Sequence, residues 1–401
     1  MSSSSSFVSS QNAPHILVMT RTFLPDAGGI EDYVYTRCLE SPNRVVVLTA
    51  SCGGDRKFDS EQPFPVYRWA VFPFTNLGPL GGILKQILYI VWEFIWSIRL
   101  YARYRYRSIE WCHGYDFPVL LLLSYLLPIQ CFIYLHGNDL LCPLRNPLLK
   151  VLFTWTLQRM DGIVCNSNFT ADYLKQHFAP QAPIHVINPT IRPEKFDGIQ
   201  ETLLTEQAAD IRQAYGIPEQ AIVLLSVGRL IPRKGFDTVI KLLPHLLEAD
   251  IDAHYLICGK GKQQQELETL TSKLHLTHRV HFAGYVPDEK LASYYAACDV
   301  FTLLTYFNES AKSIEGFGIV YAEAGYFGKP VVACRIGGVT DIVKENKNGL
   351  LVNPNNLDEM IDAILRLCRD EKLRERLGKN GRSLAIRPLS YSFLYPQLEM
   401  A

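Results

Sequence analysis

The 401-residue sequence lacks a net charge, because its forty basic side chains are balanced by forty acidic ones. No field of one sign surrounds the whole protein, which argues against nucleic acid as a partner. Any basic surface has to be local. Hydrophobic residues make up 48% of the chain and charged residues only 20%, so disorder is excluded for most of it. The length allows two domains or more, each with its own core.

Paired cysteines are also missing. The ten cysteines are scattered, with no C-x-x-C pair and no cluster of cysteine and histidine at the spacing of metal ligands. We therefore expect a reducing compartment. The first residues, MSSSSSFVSSQNAP, lack the basic start and apolar run of a secretory signal. This predicts a disordered tail over residues 1–13 and a cytoplasmic protein.

Uninterrupted apolar runs of roughly 20 residues, the length that a membrane span needs, are absent too. Residues 83–101 contain four charged or amide side chains, and residues 117–135 are broken by two prolines. The second stretch is better explained by a buried helix followed by a buried strand. Neither stretch is predicted to cross a membrane.

The chain does contain a repeated alternation of short β-rich runs and helical patterns. The run after Pro14, for example, leads through a loop with Gly28 and Gly29 into a helical pattern. The expected strands are 15–20, 45–50, 129–135, 162–165 and 184–187 in the first half, and 222–227, 254–258, 280–282, 300–304 and 331–334 in the second. Each half therefore predicts a doubly wound parallel sheet covered by helices on both faces.

A polar segment with prolines and glycines separates the two series of strands. We predict an N-terminal domain over 14–195, a linker over 196–218 and a C-terminal domain over 219–382. A tail follows over 383–401, with packing back onto the N-terminal domain as one option. In doubly wound sheets ligands bind beyond the carboxyl ends of the strands, so the loops at those ends are where chemistry is expected.

The first motif, GRLIPRKGFD, follows the expected strand 222–227. It places Arg229, Arg233 and Lys234 between Gly228 and Gly235. Fixed cations beside bare backbone suit a diphosphate. A solvated basic turn would explain the same residues, but the position after a buried strand favours the diphosphate site.

The second motif, EGFGIVYAE, sets Glu315 and Glu323 eight residues apart, with glycines at the expected start of a helix. Helix-start amides can face an anion. Eight residues span about 12 Å along a helix, so the two acids would address different parts of one extended ligand. The alternative is an acid favoured by the helix dipole together with an unrelated surface glutamate.

These two motifs, with PDAGGIE near the N-terminus and HGND at 136–139, resemble glycosyltransferase family 4 of the GT-B fold. The resemblance spans nearly the whole chain and is closest to GDP-mannose-dependent mannosyltransferases. It implies two Rossmann-like domains facing each other across a cleft, the first for the acceptor and the second for the nucleotide-sugar donor. It also implies no cofactor.

The resemblance assigns roles to individual residues. Arg229 and Lys234 would hold the diphosphate, Glu323 the ribose hydroxyls and Glu315 the transferred sugar. The other implied donor-binding residues are Gly28, Gly29, Val286, Asp288, Gly316, Phe317, Gly318, Ile319 and Val320. Of these, Val286 and Asp288 would contact the base.

His136 lies at the end of an expected strand and matches the family histidine that contacts the donor sugar near its anomeric centre. A histidine in this position is often only hydrogen-bonded within the fold. We interpret it, with Glu315, as catalytic because the whole HGND string is matched. The neighbouring Asp139 either orients this loop or caps a helix, and the sequence does not decide between the two.

The resemblance implies a retaining transferase that moves a hexose of the mannose or glucose type, from GDP-mannose or a UDP-hexose, to a glycan or lipid-linked acceptor. No D-x-D at a strand end offers a metal site. Alternatives are a nucleotide-sugar epimerase of the same fold and a non-catalytic sugar-binding protein. A dinucleotide oxidoreductase would need a G-x-G-x-x-G after a strand, which is lacking.

Residues 83–107 combine aliphatic and aromatic side chains with Lys85, Arg99, Arg103, Arg105 and Arg107. This composition suits the interface of a membrane, which would make the protein peripheral on its inner face. A core or interdomain helix that ends in a solvated basic turn explains the composition equally well.

Overall fold

The computed structural model describes residues 15–26, 28–71, 78–196, 198–308 and 312–385. They belong to two compact units, the first ending at Ile187 and the second beginning at Asn188. The expected tail 1–13 and most of the expected tail 383–401 lie outside the described residues. The bounds proposed for the domains stay a prediction.

The first unit is built on a seven-stranded parallel sheet with the order β3-β2-β1-β4-β5-β6-β7. Its strands are β1 (Ile16–Met19), β2 (Val45–Ala50), β3 (Val66–Trp69), β4 (Ser108–Trp111), β5 (Gln130–Leu135), β6 (Gly162–Cys165) and β7 (Ile184–Val186). Its helices are α1 (Gly29–Glu40), α2 (Asp55–Ser60), α3 (Gly78–Tyr104), α4 (Phe117–Leu126), α5 (Asn138–Leu141), α6 (Pro147–Gln158) and α7 (Asn168–Phe178).

The second unit contains a six-stranded parallel sheet with the order β10-β9-β8-β11-β12-β13. Its strands are β8 (Ile222–Val227), β9 (Ala253–Cys258), β10 (Val280–Gly284), β11 (Val300–Leu303), β12 (Val331–Cys334) and β13 (Gly349–Val352). Its helices are α8 (Glu201–Ala214), α9 (Phe236–Glu248), α10 (Gln264–Lys273), α11 (Asp288–Ala297), α12 (Ile319–Tyr326), α13 (Val339–Ile342), α14 (Leu357–Arg369) and α15 (Glu371–Ala385).

Both sheets confirm the predicted doubly wound class. Each one reverses its strand order beside its first strand, between β1 and β4 and between β8 and β11, and such a reversal opens a crevice at the carboxyl edge. Every expected strand is present. Three strands, β3, β4 and β13, were not expected from the sequence.

Residues 117–135 form α4 and β5, which confirms the expected helix followed by a strand. Among the described residues, no helix combines the length and the apolar character that crossing a bilayer requires. The segment expected to be a linker contains α8. Arg212 fastens α8 to the second unit through Asp299, at 2.8 Å, and through the carbonyl of Ala297.

Helices α12 and α15 pack so closely that glycines are required where they meet. A Cβ atom on Gly378 would lie 1.8 Å from the carbonyl oxygen of Gly328, and one on Gly381 would lie 3.1 Å from the Cα of Gly325. Neither neighbour is a flexible side chain, so the helices would have to move apart. This contact holds α12, which carries half of the second motif, against the end of the chain that the structure describes.

We predict that Gly378→Ala lowers the free energy of unfolding of the second unit by about 1 to 3 kcal/mol, the usual cost of overpacking. Urea unfolding followed by circular dichroism would measure it. Gly53→Ala is the control, since a Cβ there meets nothing within 4 Å. Equal stability of the two variants would contradict the close helix contact.

Candidate functional site

The loop after β8 carries the first motif and is fixed against the end of β11. Arg233 and Lys234 lie in a short 3-10 turn, Pro232–Lys234, that ends at Gly235. Gly235 has a φ of 71°, and a Cβ atom there would lie 2.0 Å from the carbonyl oxygen of Leu304. The backbone N–H of Tyr306 also donates to the carbonyl of Arg233 at 3.0 Å. Glycine is therefore required for the motif to sit at this edge.

Both cations of this turn point at Glu315. Its Oε2 lies 2.6 Å from a guanidinium nitrogen of Arg233 and 2.6 Å from Nζ of Lys234, and all three side chains are buried. Burial alone raises the pKa of Glu315, but the charges of Lys234 and Arg233 outweigh it and hold the pKa at about 2. Burial lowers the pKa of Lys234, and Glu315 opposes that effect.

Arg229, expected to bind the diphosphate with Lys234, is exposed, and its positive charge is close enough to Lys234 to lower the pKa of that lysine. The pairing of Arg233 with Glu315 was not anticipated. Next to this loop, Gly259 begins the segment GKGK at 259–262, and a Cβ on Gly259 would lie 1.8 Å from the carbonyl oxygen of Gly228. At least one glycine of GKGK thus serves close packing of two neighbouring loops.

The second motif begins as a loop and becomes helix only at Ile319. Gly318 is the N-cap of α12, with a φ of 87° in the left-handed region. Glu315 therefore precedes the helix, while Glu323 lies inside it. The sequence-based separation of about 12 Å assumed a helix throughout and does not apply. Gly316 and Phe317 are buried between the two, and Ile319 and Val320 are half-buried in the first turn of α12.

Glu323 is 1% exposed, and each of its carboxylate oxygens already has a donor. Lys195 Nζ donates to Oε1 at 2.7 Å, and the hydroxyl of Tyr295 donates to Oε2 at 2.7 Å. The ionic partner lies 128 positions earlier in the chain, so no spacing in the sequence could have indicated it.

The segment after β10 supplies Val286, which is half-buried, and Asp288, the first residue of α11. Asp288 pairs with Arg192 at 2.6 Å and with Lys195 at 3.4 Å. Lys195 thus bridges the two acids that the resemblance assigns to the nucleoside. The structure brings Asp288 and Glu323 together through a residue that the sequence analysis did not select.

In the first unit, His136 follows β5 and is 8% exposed. Its Nε2 lies 3.0 Å from the carbonyl oxygen of Cys112, which can only accept, so Nε2 carries a proton. In the neutral ring Nδ1 is then left with its lone pair. The ring also meets the edge of Tyr33, with centroids 5.7 Å apart.

Asp139 orients the loop that carries His136. Its carboxylate accepts from the backbone N–H of His136 at 2.9 Å and from that of Gly114 at 3.0 Å. Gly114 follows β4, so one carboxylate joins the ends of two adjacent strands. Of the two roles left open for Asp139, the structure selects this one.

Gly28 and Gly29 mark the start of α1, where Gly28 is the N-cap. The backbone N–H of Asp32 donates to the carbonyl of Gly28 at 3.1 Å. The first amides of this helix belong to the same carboxyl edge as His136, as expected for an anion site at a helix start. Gly28 and Gly29 lie in the first unit, whereas Arg229 and Lys234 lie in the second.

One buried cluster in the first unit has the composition of a metal site. Donor atoms of Glu93, His113 and Asp116 lie within 4.8 Å of one another. However, Asp116 already accepts from Arg21, and Nδ1 of His113 accepts from the N–H of Tyr115 at 3.3 Å. Nε2 of neutral His113 then bears a proton and has no lone pair for a metal.

A neutral, protonated Glu93 explains this cluster without a metal ion. Burial raises the pKa of Glu93 well above its usual range, and the nearby Asp116 raises it further. A protonated Glu93 can then donate to Asp116. Burial also lowers the pKa of His113 to about 3, so that histidine is neutral at pH 7.

Comparison with known proteins covers both units. Residues 27–195 match the family described as Glycosyltransferase Family 4, and residues 207–384 match Glycosyl transferases group 1. A GDP-mannose-dependent alpha-(1-6)-phosphatidylinositol monomannoside mannosyltransferase of Mycobacterium tuberculosis is 28% identical over 379 residues, covering 92% of each chain. The protein of the same description from Mycolicibacterium smegmatis is 25% identical over 390 residues, covering 92% of this chain and 94% of its own.

Solved structures share the fold at lower identity. Anabaena HepE in complex with UDP-glucose superposes with a TM-score of 0.74 at 20% identity, covering 96% of this chain and 98% of its own. Sucrose-phosphate synthase of Thermosynechococcus elongatus superposes with a TM-score of 0.73 at 20% identity, covering 96% of this chain and 97% of its own. At such identities the likeness extends to the architecture alone.

The ion cluster around Glu315 predicts a pH dependence of stability. Because the folded state lowers the pKa of Glu315 to about 2, its ionised form stabilises the fold above the unfolded pKa of about 4.3. That stabilisation is lost as the pH falls toward about 2. Glu315→Gln should lower the free energy of unfolding at pH 7 by about 3 to 5 kcal/mol, since two buried cations lose their partner.

Urea unfolding of both proteins between pH 7 and pH 3 would measure this. The difference in the free energy of unfolding between wild type and Glu315→Gln should become smaller as the pH falls. Glu371→Gln, on the exposed first turn of α15, is the matched control, and its free energy of unfolding should vary with pH as that of wild type does. A constant difference between wild type and Glu315→Gln at all pH values would contradict the ion cluster.

Proposed function

Since the chain belongs to the family 4 glycosyltransferases and has the GT-B fold, we propose that it transfers a mannose-type hexose from a nucleotide diphosphate sugar, with GDP-mannose as the first donor to test and a UDP-hexose as the second. The mycobacterial relatives are described as GDP-mannose-dependent mannosyltransferases, which supports the choice. The structural observation that carries the proposal is the cluster of Arg233, Lys234 and Glu315 at the carboxyl edge of β8.

This cluster supports a role in leaving-group departure. As the bond to the sugar breaks, negative charge develops on the β-phosphate and the sugar gains oxocarbenium character. Lys234 and the exposed Arg229 supply fixed positive charge for the phosphate, and the first amides of α12 add hydrogen-bond donors. Glu315 supplies negative charge for the sugar. These protein groups can stabilise the charge that a divalent metal would otherwise stabilise, and we therefore propose a metal-independent reaction.

We further propose that the anomeric configuration is retained. In the family that this chain resembles, the departing phosphate accepts the proton of the acceptor hydroxyl on the same face of the sugar. His136 would contact the sugar near its anomeric centre, and its Nδ1 lone pair gives it an acceptor for a sugar hydroxyl. Gly28 and Gly29 would donate backbone N–H groups to the phosphate.

The acceptor proposed here is a lipid-linked sugar, with a soluble glycan as the alternative. The description of the mycobacterial relatives names a phosphatidylinositol monomannoside. An enzyme for such an acceptor works at a bilayer surface, and residues 83–107 are proposed to contact the inner face of the membrane.

A panel of nucleotide sugars tests the function directly. Hydrolysis or transfer should occur with one of GDP-mannose, UDP-glucose and ADP-glucose, and should continue in the presence of EDTA. Nuclear magnetic resonance of the product identifies its anomeric configuration. Binding of all three donors without turnover would instead favour a non-catalytic sugar-binding protein, and a changed sugar within the intact donor would favour an epimerase.

Lys234→Ala and Arg229→Ala are each expected to lower turnover by at least about tenfold, because each removes a charged contact worth about 1.5 to 3 kcal/mol. Steady-state kinetics with the preferred donor measures this, and circular dichroism checks the fold. Lys241→Ala removes an exposed lysine paired with Asp237 in the same unit and serves as the control. Unchanged kinetics in both site variants would exclude the diphosphate assignment.

Glu323→Gln and Glu315→Gln should leave different signatures. Glu323→Gln should weaken binding of the free nucleoside diphosphate, because it removes an acceptor for the ribose hydroxyls. Glu315→Gln should spare that binding and lower sugar transfer. Isothermal titration calorimetry with GDP and with UDP measures the first effect. Equal loss of nucleotide affinity in both variants would refute separate roles for the two acids.

A further inference from the structure

Exposed apolar side chains are concentrated on three helices of the first unit. Among the described residues seventeen large apolar side chains are exposed, and eleven of them lie on α3, α4 and α6. They are Leu84, Ile87, Val91, Ile95, Leu122, Tyr125, Leu126, Leu148, Leu149, Val151 and Trp155. We call them the three-helix surface. Clusters of this kind mark interaction sites more often than isolated apolar residues do.

The topology places these helices on one face of the sheet. The connections from β3 to β4, β4 to β5 and β5 to β6 all run in the same direction across the strand order. Right-handed crossovers then put α3, α4 and α6 on the same side. Direct contacts join two of them, since the rings of Tyr125 and Trp155 lie 6.1 Å apart and Arg159 lies 4.5 Å above Tyr125.

On α3 the exposed residues recur at positions 84, 87, 91 and 95, a spacing that forms one stripe along the helix. On α6 the exposure is greater, at 79% for Leu148 and 68% for Val151. Helix α4 begins after the loop that follows β4, and only α5 and one 3-10 turn separate β5 from the start of α6. The three-helix surface therefore reaches the edge that carries His136.

Within residues 84–160 the exposed charged side chains are all positive. Residues 84–160 contain four acidic side chains, Glu93, Glu110, Asp116 and Asp139, and all four are buried. The exposed cations in the same stretch are Arg99, Arg103, Arg105, Arg107, Arg145, Lys150 and Arg159. The next acidic residue, Asp161, is exposed and accepts a hydrogen bond from the backbone N–H of Cys131. A chain without net charge thus carries a locally basic, apolar face.

From this arrangement we infer that the three-helix surface docks onto an anionic lipid bilayer. Exposed apolar side chains on helices that lie in the interface match the acyl boundary of a bilayer. The exposed arginine and lysine side chains near the ends of α3 and α6 match its negative headgroups. The inference rests on the proposed function in one respect, because a lipid-linked acceptor requires the enzyme at a bilayer. It adds α4 and α6 to the segment 83–107.

A second copy of this chain fits the surface poorly. A two-fold dimer through this surface would place the same patch of each copy against the other. The exposed cations of each copy would then face like charges on the other copy, while the four acids between residues 84 and 160 are buried. Anionic lipid relieves that repulsion and covers the apolar residues at the same time.

Cosedimentation with vesicles tests the inference on the full chain. Wild type should bind vesicles of phosphatidylglycerol and phosphatidylcholine at least about tenfold more tightly than vesicles of phosphatidylcholine alone. Binding should weaken from 0.1 M to 1 M salt, as the screening length shrinks from about 10 Å to about 3 Å. Binding that is independent of both lipid charge and salt would overturn the inference.

Two variants separate the contributions of charge and of apolar side chains to vesicle binding. Arg103, Arg105 and Arg107 changed together to Gln should remove the preference for anionic vesicles. The α6 variant, in which Leu148, Val151 and Trp155 are changed together to Gln, should bind vesicles at least about tenfold more weakly than wild type at every salt concentration. The control changes three exposed apolar residues of the second unit, Leu203, Tyr285 and Leu357, to Gln and should bind as wild type does. Full binding by the α6 variant would overturn the role of that helix.

Donor turnover without vesicles separates this inference from the proposed function. The α6 variant should hydrolyse the nucleotide sugar as wild type does, because no changed residue belongs to the donor or catalytic set. Vesicle binding by a chain that turns over no nucleotide sugar would refute the function and support the surface. Wild type that is dimeric by light scattering and becomes monomeric in the α6 variant would assign the surface to self-association and overturn the inference.

Discussion

The ion cluster of Glu315, Lys234 and Arg233 fixes the loops that we propose bind the donor. Its three charges are buried, and removing Glu315 would leave two buried cations without compensation. The cluster can form only because backbone segments approach one another closely. A Cβ at Gly235 would strike the carbonyl of Leu304, and one at Gly337 would lie 2.2 Å from the carbonyl oxygen of Glu315. Loops from β8, β11 and β12 are thereby locked together, and the cations are oriented before any ligand arrives.

A second ionic contact ties the start of the second unit to the two acids that the family resemblance assigns to the nucleoside. Lys195 and Arg192 follow the division between the units, and they engage Asp288 and Glu323. With Glu323 only 1% exposed, any ligand that uses its carboxylate must displace Lys195 or share the acid with it. The segment that leads from one unit to the other is thus bonded to the residues that a nucleoside would use.

Much of the fold and part of the site could be predicted from the sequence. Strands such as β2 and β8 are runs of buried aliphatic residues, which a parallel sheet requires on both faces. Strand β4 was missed because its SIEW sequence contains Glu110, whose partner Arg37 lies 73 positions away. The same limit explains why Arg233 and Lys195 were not assigned partners: ionic pairs between distant positions leave no local pattern. The motif residues were selected because their spacing matches a known family, not because spacing reveals contacts.

The neutral composition conceals how the charges are distributed. The acids of residues 84–160 are used inside the first unit, where Glu110 meets Arg37, Asp116 meets Arg21 and Asp139 accepts backbone amides. Each of these acids also positions a strand end or a helix, so it cannot at the same time neutralise a cation on the surface. A local excess of exposed positive charge follows from building the carboxyl edge with buried carboxylates. The basic face and the loop that carries His136 therefore have a common physical origin in where the acids lie.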